Sequence, residues 1–271
     1  MVTDGAQPRA IGAANVAVAA SSRGSTLSAL RQSGSLKLLF PRVAVATGVT
    51  AVSINTAGGV TGGDRFELRA EARSGSRLTL TTQAAERIYC ANADEVSDVS
   101  THLYMADGAR IDWLPQETII FNRSALSRKL HIDMAPDATF LAVEPLVFGR
   151  AAMGETLRNV SLSDHIRLRR GGALVFADAI RLRGDAKVQL AGPFTGGGAG
   201  ACASLIYAAP DAELLVERLR ALLPDSAGVS LIRPSILFAR LLAVDSYLLR
   251  KSLIPAIEAL RKAPLPKTWT L

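Results

Sequence analysis

Alternating apolar and polar positions dominate the first two-thirds of the chain. Asn15–Ala19, Leu36–Phe40, Val43–Val45, Thr50–Ile54, Arg65–Arg69 and Arg77–Thr82 read as short strands. In Arg65–Arg69 the period of two places Phe66 with Leu68 on one face, and in Arg77–Thr82 it places Leu78 with Leu80. Ser97–Tyr104 and Ala109–Leu114 follow, split by the turn dipeptide Asp107-Gly108. Leu126–Asp133, Thr139–Glu144, Ser161–Arg169 and Ala173–Asp178 continue the series, with Pro136-Asp137 and Gly171-Gly172 as turns. Many short strands at nearly regular spacing predict a large β layer, a barrel or a β-helix.

The period changes after residue 210. Glu213–Leu223 is predicted as an amphipathic helix with Asp211 as its N-cap and Pro224 as its stop. Val229–Ile232 and Ile236–Ala243 are predicted strands. Leu248, Leu249, Leu253, Ile257 and Leu260 mark a second helix over Asp245–Lys262, which Pro255 is expected to kink or split. Pro264–Trp269 reads as an extended tail. Residues 1–13, with Gly5, Pro8 and Gly12, read as a disordered lead-in. The rest, 14–271, reads as one domain, a β-rich body over 14–209 and an α+β part over 210–271.

The overall composition narrows the function classes. With 271 residues and 49% hydrophobic content the chain has enough apolar mass for a self-sufficient core. Its two cysteines, Cys90 and Cys202, exclude a disulfide framework and a zinc cluster. The charge-poor stretches Val43–Gly63 and Val188–Pro210 are broken by Gly, Thr, Ser and Pro, so neither reads as a membrane span. Ala10–Ala20 imitates a signal peptide, but Asp4 precedes Arg9 and Asn15 interrupts the apolar run. A net charge of +7 admits an acidic partner, and a basic nucleic-acid-binding β protein is the alternative function. Aromatic residues are only 5%, too few for a base-stacking platform. No nucleophile–base pairing marks a hydrolase.

Four glycines fall within Gly58–Gly63, ending at Asp64 and Arg65 where a phosphate loop would need Lys and Ser or Thr. The segment is either a tight turn capped by Asp64 or a carboxylate presented to a cavity, an ion or a partner. Gly196–Ala201 matches GxGxxA, but a strand follows it, so it reads as a loop. His102, His131 and His165 have no metal-ligand spacing. Glu86, Glu117, Glu144 and Glu155 stand in apolar surroundings, with Arg87 and Arg150 as candidate partners; they read as structural ion pairs or as a polar passage.

Asn55–Asp64, Thr81-Thr-Gln-Ala84, Trp113-Leu-Pro-Gln-Glu117, and Gly149-Arg150 with Met153-Gly-Glu155 together resemble the urease accessory protein UreD (UreH) family. The resemblance runs from Arg23-Gly-Ser-Thr-Leu27 to Pro266-Lys-Thr-Trp269. Thr56 departs from the family's usual Pro, and Ile257 lies where Trp is common. The resemblance implies a mainly β, β-helix-like body with a small helical C-terminal part, located in the cytoplasm. It implies a scaffold that binds apo-urease and UreF and, through UreF, the GTPase UreG, in a possible dimer of UreD–UreF pairs. It further implies no enzyme activity and no permanently held cofactor, with nickel passing through a tunnel to the urease site. Asp64 is the first candidate to line that tunnel, with Glu86, Glu117, Glu144 and Glu155 behind it. The apolar stripe carrying Leu249 and Leu253 is a candidate UreF-facing surface.

Overall fold

The computed structural model describes residues 8–42 and 48–270. The expected strand at Val43–Val45 lies outside the described residues. β1 (Ile11–Ser21) and β2 (Gly24–Gly34) form a hairpin, and β3 (Leu36–Leu39) pairs antiparallel with β4 (Val49–Asn55). The chain then coils. β5 (Arg65–Ala72), β6 (Arg77–Thr82) and β7 (Glu86–Ile88) make one turn. β8 (Ser97–Met105), β9 (Arg110–Leu114) and β10 (Thr118–Ile120) make the next. β11 (Ala125–Met134) and β12 (Thr139–Phe148) make a third. Each strand lies parallel on its counterpart one turn earlier: Asp98 opposite Arg65, Ser127 opposite Asp98, Ile111 opposite Leu78, Ile119 opposite Arg87. Of the β layer, barrel and β-helix that the strand spacing allows, this is the β-helix-like body that the resemblance implies.

β13 (Val160–Arg170) continues the parallel stack on β11, and β14 (Ala173–Gly184) turns back antiparallel to end that sheet. A short helix α1 (Ala186–Ala191) leads into β15 (Ala201–Ala208). Helix α2 (Val216–Leu222), β16 (Ala227–Arg233), β17 (Ile236–Ala243) and helix α3 (Ser246–Arg261) complete the fold. The result is a seven-stranded sheet ordered β14-β13-β11-β8-β5-β1-β2 facing a ten-stranded sheet whose main path is β16-β17-β15-β12-β9-β6-β4-β3.

The period of two explains the layering. Phe66, Leu68, Leu103, Leu126, Ile132, Leu162 and Leu168 point from the first sheet to meet Leu78, Leu80, Ile111, Phe140 and Ile206 of the second, all buried. Each such side chain contributes about 1.5–3 kcal/mol relative to exposure. A second core lies on the other face of the ten-stranded sheet. There Leu141, Val143, Leu205 and Leu237 pack on Leu249, Leu253, Ile257 and Leu260 of α3 and on Trp269.

Several sequence expectations need correction. β1 begins at Ile11, inside the stretch read as a lead-in. β2 is an additional strand whose Leu27 and Leu30 stay 43% and 41% exposed, so no buried stripe announced it. α3 runs unbroken through Pro255. Its N-cap is Asp245, whose carboxylate accepts Leu248 N–H at 2.8 Å, and Lys262 ends it in the left-handed region. Asp211 caps nothing with its side chain; it accepts from Tyr207 Oη at 2.8 Å and Lys262 Nζ at 2.6 Å instead. The tail is anchored: Lys267–Trp269 is a 3₁₀ turn that buries Trp269. Leu249 and Leu253 are buried in the second core, so that part of the α3 stripe faces inward, while Leu248 stays 41% exposed.

Candidate functional site

The Gly-rich segment after β4 packs tightly against β7 and its exit. A Cβ on Gly59 would lie 2.3 Å from the Tyr89 ring and 2.9 Å from Arg87 O, at a φ of +154°. One on Gly62 would meet Glu95 O at 2.7 Å. Glycine is needed there for close approach. Asp64 closes this loop. Its Oδ1 accepts Ala10 N–H and its Oδ2 accepts Thr61 N–H, both at 2.8 Å, and it is buried. The structure thus places Asp64 in loop closure, with both oxygens occupied by backbone amides.

Between the sheets lies a cavity of about 100 Å³. Phe66, Leu68, Ile88, Leu126 and Leu130 wall it, and Thr82, Glu86, Gln116, Thr118, Arg128 and Glu144 bring polar atoms into it. Two of the expected carboxylates, Glu86 and Glu144, meet here. Asp64, Glu117 and Glu155 do not line it.

Glu86 lies at one side, half-buried, with both oxygens 3.3 Å from Asn55 Nδ2. Burial pushes its carboxyl up to about 7, against the Asn55 hydrogen bond, and nearby Asp64 adds to the rise. A carboxyl raised above its unfolded value binds its proton more tightly when folded. The stability it contributes is therefore complete below the unfolded value of 4.5 and is lost as pH rises through about 7. Glu86→Gln will remove this dependence: its stability will match wild type near pH 4.5, the wild type then losing about 3 kcal/mol relative to it by pH 8, read from urea unfolding. Equal shifts of both proteins over that range would show that Glu86 titrates normally.

On the other side stands a buried ion cluster. Arg128 is held by Asp164 through two bonds, Nε to Oδ1 at 2.9 Å and Nη2 to Oδ2 at 2.6 Å. Its Nη1 donates to Thr118 Oγ1 at 2.8 Å and lies 2.9 Å from Glu144 Oε2. Glu144 Oε1 accepts the Trp113 indole N–H at 2.6 Å, while Oε2 has no hydrogen-bond donor in line. Burial raises Glu144 above the usual carboxylate range, against the pull of Arg128. Burial opposes the charge of Arg128, but Asp164 and Glu144 together hold it above its ordinary value.

The polar contacts extend beyond the cavity. Register places Glu144 opposite Ser204 and Ser204 opposite Arg240. Ser204 Oγ donates to Asp178 Oδ2 at 3.2 Å, and Arg240 Nη2 to the same oxygen at 2.6 Å. Cys202, two residues before Ser204, has its thiol pushed up to about 11 by burial. Glu86 and the Arg128–Glu144 pair thus share one cavity, and Ser204, beside Glu144, carries the polar contacts on to Asp178 and Arg240.

The other two glutamates serve different joints. Glu117 receives Arg250 Nη1 at 3.1 Å, while Nη2 of the same arginine donates to Trp269 O at 2.8 Å, tying α3 to the β9–β10 connection. Glu155 pairs with Arg150, Nε to Oε2 at 3.0 Å, and also accepts Asn122 N–H at 3.1 Å. Arg150 holds its carboxyl below the usual range. Arg128, Asp164, Asp178 and Arg240 are the members sequence reasoning missed. Arg128 and Asp164 each occupy an inward position of an otherwise apolar face, between Leu126 and Leu130 and between Leu162 and Ile166. A charge in phase with the core was the available signal.

Among the described residues no group of three or more His, Cys, Asp or Glu is placed to hold a metal ion, and no helix is long and apolar enough to cross a membrane. His102 and His131 stack on the outer face of the seven-stranded sheet, ring centroids 4.9 Å apart.

Residues 10–270 match the family model described as UreD urease accessory protein. The chain is similar to the urease accessory protein UreD of Ruegeria pomeroyi, 51% identical over 247 residues, covering 91% of this chain and 96% of that protein. The Roseobacter denitrificans protein of the same name is 47% identical over 265 residues, covering 98% and 96%. That of Azorhizobium caulinodans is 40% identical over 266 residues, covering 97% of each.

Proposed function

Because the chain belongs to the UreD family of urease accessory proteins, we propose that it acts in urease maturation as a non-catalytic scaffold in the cytoplasm. It binds apo-urease and UreF, and through UreF the GTPase UreG, in a dimer of UreD–UreF pairs. Nickel crosses it as cargo, with no resident cofactor. The supporting observation is the cavity between the sheets, which Glu86 and Glu144 line together with Thr82, Gln116 and Thr118. Its oxygens are carboxylate, amide and hydroxyl groups spread around the wall and not gathered in one cage, which suits weak successive binding of a divalent ion and its release. Glu86, with its carboxyl near neutrality, exchanges a proton for the ion at little cost. At Arg128 the ion competes with a guanidinium for Glu144.

Co-expression of the cognate urease subunits and accessory proteins, with and without this chain, tests the reading. Without the chain, urease activity and bound nickel will both fall to background. With Glu86→Gln the complex will assemble, but nickel loading will slow several-fold, on the order of the loss of one weak oxygen ligand. Asp64→Ala serves as the contrast: it strips an acceptor from two amides and lowers stability by about 1–3 kcal/mol. Full activity and nickel in the absence of the chain would overturn the scaffold role. Unchanged loading in a well-folded Glu86→Gln protein would overturn the route alone.

A further inference from the structure

The β13–β14 hairpin ends the seven-stranded sheet, and β14 pairs with β13 only. Its outer face carries one basic side chain in each successive row. Arg183 lies opposite Ser161, Arg181 opposite Ser163, His165 opposite Ala179, Arg167 opposite Ala177 and Arg169 opposite Leu174. Successive rows are about 7 Å apart, two residues of strand. All four arginines are exposed, and among the described residues none of the four forms an ion pair. Arg181 leans on His165 Nε2 at 3.3 Å and Arg169 donates to Gly172 O at 3.2 Å.

The free edge of β14 is closed at its two ends and open between them. Gln189 of α1 takes both outward groups of Arg183, accepting its N–H at 3.4 Å and donating to its carbonyl. Val175 O accepts Arg233 Nε at 3.0 Å. By the two-residue period of an antiparallel ladder, the peptide groups of Arg181, Ala179 and Ala177 point the same way as those of Arg183. Among the described residues no hydrogen bond outside the β13 ladder occupies them, and the exposed alanines leave space beside the arginines.

We propose that this edge takes up an extended acidic segment of a protein partner as an added strand. The partner's backbone pairs with Ala177–Arg181, and carboxylates at alternate positions meet the arginine row. The match of spacing is the reason: a strand presents one side chain per row on the same face, at the repeat of the basic row Arg181, His165 and Arg167.

Fluorescence anisotropy on the full chain tests this with a labelled peptide of about eight residues alternating Glu and Val. A Lys–Val peptide and a Glu–Pro peptide are the comparators. The Glu–Val peptide alone will bind. Ala179→Pro, which removes one outward N–H, and the pair Arg167→Glu with Arg181→Glu will each weaken it about tenfold or more, with unchanged melting curves. No binding by the Glu–Val peptide would overturn the proposal. So would binding that ignores Ala179→Pro, since that is charge attraction without strand addition. Equal competition by oligothymidylate would assign the face to nucleic acid, and loss of a dimer in Ala179→Pro would assign the edge to a second copy; either would overturn it too.

Discussion

Arg128→Met will destabilise the protein by about 3–5 kcal/mol, read as a lower urea midpoint at unchanged slope. The side chain is nearly buried, and its guanidinium neutralises Asp164 and Glu144 at once. Methionine fills the stem's space but leaves two carboxylates in a low-dielectric interior without a counter-charge. The loss is a large share of the 5–15 kcal/mol typical of a domain. It will ease in acid, where protons can neutralise the orphaned groups. Adding Glu144→Gln and Asp164→Asn to Arg128→Met will recover much of the midpoint, because the cost lies in unpaired charge and not in lost packing. A single Arg128→Met variant as stable as wild type at pH 8 would mean that water reaches the cluster.

Trp269→Ala will cost about 3–5 kcal/mol, most of it local to the C-terminal layer. The indole is 1% exposed and donates Nε1 to Leu114 O at 2.9 Å. Arg250 stacks over it at 4.9 Å and bonds its carbonyl. Next to it, Thr268 Oγ1 lies 3.0 Å from Thr81 Oγ1. Removing the ring opens a cavity, takes the indole donor from the Leu114 carbonyl and strips the stacking surface from the arginine that joins α3 to Glu117. Hydrogen exchange will therefore quicken in α3 and β17 well before β5, β8 and β11. Trp269→Phe, which keeps most of the volume, will lose about 1–2 kcal/mol. Uniform quickening through both sheets would show that the two cores unfold as one.

The strands were legible wherever one face is apolar and the other polar. β6 matches its predicted range, and β5, β8, β11 and β13 extend theirs by a few residues, because burial enforces the period of two. β2 escaped because neither of its faces is buried. β7 and β10 escaped because three residues are too short to show a period. The local signal at Pro255 misled: proline removes one amide from the ladder, but Leu253, Ala256, Ile257 and Leu260 bury the helix on both sides of it. For the site, the glutamates in apolar surroundings were visible in the sequence, and two of them do meet in the cavity. Their environments were not visible. The same residue type ends as a neutral-range carboxyl at Glu86 and a surface-loop ion pair at Glu155, because parity and register decide which side each faces.

The parallel register of β1 on β5 also sets a timetable for synthesis. β1 emerges from the ribosome with β2 beside it, but the strand that covers its other edge is translated only after the β3–β4 pair and the glycine loop. At typical elongation rates that is a wait on the order of seconds. During it the hairpin shields one edge of a nascent apolar strand, and the other stays open to wrong partners. β2, which buries almost nothing in the finished molecule, covers one edge of the first rung throughout that interval.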